Sequence, residues 1–412
     1  MAKSRSPLVI IFITVFIDLV GFGIVIPVLP LYASRFGASP LVIGLLLAVY
    51  SAMQFIFAPV LGRLSDRVGR RPVLLFSMIG TSLGFMLMGL AGSLELLFIA
   101  RIIDGITGAN ISTAQAYIAD VTPPDKRSRG MGLIGAAFGL GFIVGPAIGG
   151  LMSQVSLAAP FFFAAGLAAA NAVALYFLLP ESLSAERRRE ARSRASIGQV
   201  FRESGSWQLA AVMATYFFAT VAFALLTAIY PLFTQRRFGL DATHNGYIFA
   251  YLGLLGAIIQ GGLLGRLLKA FSDKSLAVAG TAILTVSMFA LPESRQVWML
   301  LMASTGLAVG NSLVTPTLNG LASRSVYAAW QGRVLGILQS FASLARIIGP
   351  VLGGFLLGRD SNVEPSLYGR SPFWTGAVIM LIAFGLALTV TTPANDAVER
   401  TPPLEPQRGQ KA

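Results

Sequence analysis

This sequence predicts an all-helical membrane protein, with twelve transmembrane helices in two pseudo-symmetric six-helix halves. Three observations predict it. The first is composition: 55% of the 412 residues are hydrophobic, only 12% are charged, and mean hydropathy is +0.73. A soluble domain carries about a quarter charged residues, so a surface this apolar needs lipid as its solvent. The second is that the apolar residues fall into twelve runs near the roughly 20 residues that a bilayer crossing requires. The third is an internal repeat. Arg129, Gly132 and Gly145-Pro146-Ala147-Ile148-Gly149-Gly150 return 204 positions later as Arg333, Gly336 and Gly349-Pro350-Val351-Leu352-Gly353-Gly354. Two like halves built of membrane helices are the plan of a secondary transporter, with its substrate site between them.

The twelve expected spans are 8–32, 40–61, 73–94, 95–119, 131–152, 160–180, 206–233, 243–265, 275–292, 296–322, 333–358 and 371–392. The first follows Lys3 and Arg5, and its apolar run is too long for the core of a signal peptide. Span 3 starts after Pro72, a residue suited to a first helical turn. Only Gly92, Ser93 and Glu95 part spans 3 and 4, which demands a tight turn. Glycine and proline inside spans are tolerated, because neighbouring helices satisfy the freed backbone groups. The expected domains are 1–185 for the first half, 186–205 for a linker, 206–392 for the second half and 393–412 for a disordered tail.

Charge sets the orientation. With the N-terminus placed inside, 23 of the 31 lysines and arginines fall on inner connections and 6 on outer ones, while Arg101 and Arg346 lie within spans. That bias fits the positive-inside rule with both termini cytoplasmic, in a plasma or inner membrane. It accounts for the net charge of +13 without nucleic acid as a partner. The run Glu186–Glu190 reads as a solvated linker or a surface helix on the inner leaflet. With no cysteine and a single histidine, His244, the chain offers no thiolate or multi-histidine metal site and no catalytic triad. Neither an enzymatic role nor a cofactor or metal is expected.

Two motifs stand out. Gly62-Arg63-Leu64-Ser65-Asp66-Arg67-Val68-Gly69-Arg70-Arg71-Pro72 links spans 2 and 3, and its two glycines suit a short, tight loop. Its acid, Asp66, sits among arginines and is placed to form an ion pair or face a helix N-terminus. Asp120, at the inner end of span 4, is a candidate partner for Arg70 or Arg71. A worn copy, Gly265-Arg266-Leu267 then Ser272-Asp273-Lys274, recurs in the second half. Span 5 carries Gly135, Gly139, Gly141, Gly145, Pro146, Gly149 and Gly150. Small residues four apart bring helix backbones close, and the proline favours a bend.

Four ionisable groups lie within spans: Asp18, Arg101, Asp104 and Arg346. Burying a charge in a bilayer costs a few kcal/mol or more, so such groups face the bundle interior and mark function. Asp18, near the middle of span 1, is suited to load and release protons. It is followed by Gly21, Gly23, Pro27 and Pro30, which predict a bent or deformable helix. In span 4, Arg101, Asp104, Gly108, Ser112 and Gln115 share an arc of roughly 80°, flanked by Asn110. Arg101 and Asp104, three apart, are placed to pair along the helix. Spans 7 to 12 hold no acid, so Arg346 must reach Asp18 or Asp104 across the halves, meet an anionic substrate, or bond backbone carbonyls. Span 7 offers aromatics, Tyr230 among them, and span 10 offers Asn311, Thr315 and Asn319; an apolar, aromatic wall with few polar groups suits a small lipophilic molecule.

The Gly62–Pro72 string resembles the signature loop of the major facilitator superfamily, and the span-5 pattern resembles the antiporter signature of its drug-exporting branch. With Asp18–Pro30 and Arg101–Asp120, the chain is similar throughout to twelve-span drug:proton antiporters, of which tetracycline-resistance pumps are the nearest in likeness. The resemblance implies alternating access driven by the proton gradient, with Arg101 in proton coupling; Asp18 and Asp104 join it as candidates because of their depth in the membrane. It also implies an inner-side gate at Gly62, Asp66, Arg67, Gly69, Arg70 and Asp120, and a helix-bending contact at Gly141, Gly145, Pro146, Gly149 and Gly150. Span 9, however, lacks the acid that tetracycline pumps carry there, and Asp104 stands where they have a small residue. The expectation is therefore a monomeric exporter of drug-like molecules, its partners being substrate, protons and lipid. Uptake of a small metabolite and lipid translocation are the alternatives.

Overall fold

The computed structural model describes residues 7–123, 127–183, 207–326 and 331–390, the side chains of 127–131 and 331–333 excepted. The expected linker, 186–205, and tail, 393–412, lie outside the described residues. Helices α1 (Pro7–Ser34), α2 (Pro40–Val68), α3 (Arg70–Gly89), α4 (Leu94–Thr107), α5 (Ile111–Val121), α6 (Arg127–Ser153) and α7 (Ala159–Leu178) form the first half. The second holds α8 (Trp207–Phe238), α9 (Ala242–Ile258), α10 (Leu264–Ala270), α11 (Asp273–Ala290), α12 (Val297–Arg324), α13 (Gln331–Arg359) and α14 (Arg370–Thr389). A π-helical turn, Ile259–Leu263, joins α9 to α10. No strand occurs among the described residues.

Among the described residues, eleven segments are long and apolar enough to cross a membrane. The expected span 95–119 is not one continuous helix: α4 and α5 are parted at Gly108, Ala109 and Asn110. The Gly108 amide closes the last turn of α4 on the Asp104 carbonyl at 2.6 Å, and Asn110 starts the α5 ladder by accepting from Ala114. The motif between spans 2 and 3 is also corrected. It is not a loop: α2 runs on through Gly62 and Asp66 to Val68, and Gly69 alone makes the turn, with φ 113°, a region that side chains avoid.

Side-chain caps fix several helix starts, as orphan N–H groups require. Ser39 accepts from the Val42 amide, Ser93 from Leu96, Asp241 from His244 and Ser272 from Ser275. The start of α3 is capped from afar. Glu181 accepts from the Arg70 and Arg71 amides at 2.9 and 3.1 Å.

Helix pairing respects the repeat. α1 packs on α6 as α8 packs on α13; α3 packs on α7 as α11 packs on α14. Across the halves, α2 lies against α13 and α6 against α9. The two GPxxGG motifs make these seams close. A Cβ on Gly145 would lie 2.6 Å from the Val20 carbonyl oxygen, and one on Gly349 2.7 Å from the Val221 carbonyl oxygen, both within one half. The last glycine of each motif faces the other half: a Cβ on Gly150 would lie 3.0 Å from the Gly246 Cα, and one on Gly354 would overlap the Pro40 carbonyl oxygen. These cross-half approaches all sit away from the basic end that carries Arg63–Arg71. The Ser153 and Thr243 hydroxyls, 3.1 Å apart, join the same far seam. Toward the basic end, Gly135 on α6 and Gly261 and Gly262 beyond α9 have nothing within 4 Å of a Cβ position. These close approaches between the halves thus lie at the far end.

Candidate functional site

The break between α4 and α5 lies beside the charged centre. Arg101 and Asp104 share the last two turns of α4 and are buried, 1% and 4% exposed. Their expected pair forms, Arg101 Nη1 to Asp104 Oδ2 at 3.0 Å. Arg101 also stacks on Tyr50 of α2, its guanidinium carbon 4.2 Å from the ring centroid. That position is open because Gly105 lets the α4 backbone lie against Tyr50; a Cβ there would meet the Tyr50 carbonyl oxygen at 2.6 Å. From the next turn of α2, Gln54 donates to the Gly108 carbonyl at 3.0 Å, satisfying an acceptor that the helix break exposes.

Asp18 stands apart from this pair. It is only partly buried, and its neighbours include Asn110 and Asp104. Tyr50 carries the Arg101 guanidinium over its ring and lies against Gly105 and Gly108 of the α4 end. Nothing in the sequence marked Tyr50. An aromatic residue in an apolar run has packing as its ordinary role.

Among the described residues, Arg346 forms no ion pair across the halves. It is partly exposed, and its one hydrogen bond among the described residues runs from Nε to the Ala342 carbonyl at 3.1 Å. Tyr216 and Tyr50 are its neighbours. An apolar wall follows on both sides. Phe22 meets Tyr50 and Phe142 at 5.8 and 5.9 Å between centroids, and Phe217 meets Phe341 at 5.9 Å.

The remaining candidates divide. Tyr230 is corrected to a packing residue: it is fully buried, its hydroxyl is 2.8 Å from the Ser304 hydroxyl, and its ring lies against Phe249. Gln115 is exposed on α5, beyond the helix break from the Arg101–Asp104 pair, and Asn311 is partly buried, its side-chain oxygen accepting from Thr315 at 3.4 Å. At the basic end, Arg70 gathers the acids of the α2–α3 motif and α5. It reaches Asp66 at 2.5 Å, Asp120 at 3.3 Å and the Ser65 hydroxyl at 2.7 Å. Asp120 also accepts from Ser182 at 3.0 Å. Arg67 is exposed, and Gly62 only approaches Ser112 of α5. Gly141, Gly145, Pro146, Gly149 and Gly150 form the α6 seams; Pro146 lies against Gly23 of α1, and its carbonyl approaches Gly246 of α9. No cluster of histidine and acid side chains able to hold a metal occurs among the described residues.

A two-half helical bundle with interior charges between its halves defines an integral membrane transporter. The Major Facilitator Superfamily sequence model matches residues 11–350 and 261–410, and the chain belongs to that superfamily. It is similar to a class C tetracycline resistance protein of Escherichia coli, 38% identical over 85% of this chain and 89% of that protein. It is also similar to multidrug resistance protein 2 of Bacillus subtilis (strain 168), 28% identical over 96% and 98%. Among solved structures, an inward-facing bacterial homologue of the human lysosomal transporter Spinster shares the fold, with TM-score 0.79 and 16% identity over 95% of this chain and 97% of that one.

Proposed function

We propose that this protein is a proton-coupled antiporter that exports lipophilic, drug-like molecules by alternating access. It acts as a monomer in the inner membrane, with both termini and the basic end in the cytoplasm and no cofactor beyond the proton gradient. Kinship with tetracycline and multidrug resistance proteins supports export. The observation that carries proton coupling is the partly open Asp18 carboxylate, next to an Arg101–Asp104 pair that is already closed and stacked on Tyr50.

In this reading the site meets substrate from the cytoplasmic side, away from the far seam. Asp18 gives its proton to cytoplasmic water as substrate docks. The halves then rock about the site, and a proton from outside neutralises Asp18 and displaces the substrate. The Asp66–Arg70–Asp120 cluster holds the cytoplasmic ends of α2, α3 and α5 as one gate. The α6 glycines and Pro146 form the bearing on which the halves turn. Tetracycline itself is not implied: the one carboxylate of α11, Asp273, lies in its first turn and is bound to Arg324.

The test is Asp18→Asn in liposomes under an imposed pH gradient. Transport driven by the gradient should vanish while the helical signal and the detergent melting profile persist. Undiminished coupled efflux would overturn the assignment.

A further inference from the structure

A buried threonine in a spanning helix can satisfy its hydroxyl on a carbonyl of its own previous turn. Thr14, Thr107, Thr215 and Thr234 do so, at 2.7–3.0 Å. The sealed hydroxyls that have no hydrogen-bond partner among the described residues are confined to α3 and the α5 segment: Ser77, Thr81, Thr113 and, just past α5, Thr122. The first three are each 2% exposed or less. The 204-residue repeat carries Ser77, Thr81 and Thr113 onto Thr281, Thr285 and Thr317 of the second half. Those three are buried as well, yet each is bonded to its own helix: Thr281 to Ala277 at 2.9 Å, Thr285 to Thr281 at 2.8 Å and Thr317 to Leu313 at 2.6 Å. The repeat also carries Asp104 onto Ala308. The half that holds the buried acid is thus the half whose hydroxyls are left free.

Three contacts set α3 against α4 and α5 in antiparallel register. A Cβ on Gly84 would lie 2.9 Å from the Asp104 Cβ, one on Gly80 would overlap the Thr107 side chain, and Arg70 bonds Asp120 at 3.3 Å. Ser77, Gly80, Thr81 and Gly84 recur at helical spacing, so both hydroxyls stand on the face that the two glycines press to α4. Thr81 therefore lies between the levels of Asp104 and Thr107, and Ser77 one turn nearer to the basic end. Ser77 is seven residues on from Arg70, and Thr113 is seven back from Asp120. Seven residues make about two turns, so Ser77 and Thr113 stand level with each other. A ladder of polar groups thus runs inside the first half, from Asp104 past Thr81, Ser77 and Thr113 to Asp120, which is partly exposed.

We propose that this ladder is a proton route through the first half, in which the Thr81, Ser77 and Thr113 hydroxyls, bridged by water, connect Asp104 to the basic end. Buried polar groups of this kind hold bridging water, and side chains one turn apart, about 5–6 Å between Cβ atoms, are within reach of one molecule. A proton taken up by Asp104 opens its bond to Arg101. On release, each hydroxyl oxygen along the ladder accepts a proton from one neighbour and gives its own to the next. One proton leaves beside Asp120 for every one that leaves Asp104, and the hydroxyls end as they began. The route lies between helices of one half, so proton exit does not require the space between the halves to be open. The inference rests on the proton-coupling reading above and adds to Asp18 a second acid with its own exit.

The experiment uses the full chain in liposomes, with ethidium, Hoechst 33342 and doxorubicin as fluorescent probes. Two rates are compared: transport driven by an imposed pH gradient, and probe exchange at equal pH, which needs no net proton transfer. Thr81→Val and Thr113→Val keep the side-chain shape and drop the hydroxyl. Each should slow gradient-driven transport about tenfold or more, the scale of a lost proton-transfer group, while exchange and KM stay as in wild type. Thr81→Ser, which keeps the hydroxyl, should retain most of the driven rate. Thr285→Val, at the repeat position of Thr81, removes a hydroxyl already committed to its own helix and should leave both rates unchanged. Wild-type driven transport in both valine variants would overturn the route. So would a loss that Thr81→Ser shares, or one that appears equally in exchange, since either assigns the hydroxyls to structure. In all these cases the coupling reading stands as long as Asp18→Asn abolishes the driven rate. Failure of wild type to move any of the three probes with the gradient would remove both.

Discussion

Replacing Gly246 by alanine should pry the far seam open. A Cβ at this position would stand 2.5 Å from the Gly150 Cα and 2.6 Å from the Pro146 carbonyl oxygen. Ordinary contact begins at 3.4 Å, so α6 and α9 must part by about 1 Å, by difference, to admit the methyl group. Both partners are backbone, and no side-chain rotation relieves the overlap. Overpacking of this kind costs about 1–3 kcal/mol. Because the strain exists only while the far ends touch, it falls on the closed state and shifts the balance toward far-end opening by roughly 5- to 150-fold. The chain contains no cysteine, so a reporter thiol needs no prior engineering. Ala242→Cys, on the far seam and 3% exposed, should react with a membrane-impermeant maleimide faster by that factor in the Gly246→Ala background. Gly385→Ala, whose Cβ would meet nothing within 4 Å, is the control and should leave the rate alone. An unchanged rate in Gly246→Ala, with the melting profile also unchanged, would refute the reasoning.

Three further outcomes are expected. Tyr50→Phe keeps the ring under Arg101 and should hold gradient-driven transport within about threefold, whereas Tyr50→Ala removes a desolvated cation–π contact of about 2 kcal/mol and should cut it roughly tenfold or more, read by proton flux in liposomes. Glu181→Ala strips the acceptor from two amides at the start of α3 and should cost about 1–3 kcal/mol, seen as a lower melting temperature in detergent with transport retained below it. Tyr230→Phe leaves Ser304 without its partner and should lower stability by about 1 kcal/mol while KM stays as it was; a raised KM would return Tyr230 to the substrate site.

What the sequence disclosed tracks the range of each interaction. Apolar runs and the 204-residue repeat are read from single positions, and they placed the helices and the paired halves. The Arg101–Asp104 pair was legible because three residues on a helix are always neighbours. The Arg70–Asp120 contact was legible as an excess of charge at one end. Tyr50 and Glu181 were not, because each acts on another helix: the first through a ring that any core also uses, the second from just past the end of the sixth expected span. The helix break at 108–110 was hidden for a different reason. Gly108 and Asn110 occur in a stripe whose polarity explained them already, so their effect on the backbone carried no separate mark. Arg346 was visible as a charge without a partner in its own half, and the side chain's bond to Ala342 shows how it tolerates that position.

The interruption between α4 and α5 has a consequence for biogenesis. Neither piece, 14 and 11 residues, would be taken for a crossing by apolar length, and a tally of eleven is odd. An odd tally sends the two chain ends to opposite faces and inverts every connection after Thr122, whereas an even one returns them to the same face. The parity of the whole molecule thus depends on a segment that carries an arginine and an aspartate and is poorly disposed to enter lipid by itself. α2 and α3, which pack on α4, precede it in the chain, so insertion machinery that holds those two helices nearby gives the segment a polar and sterically matched berth as it emerges.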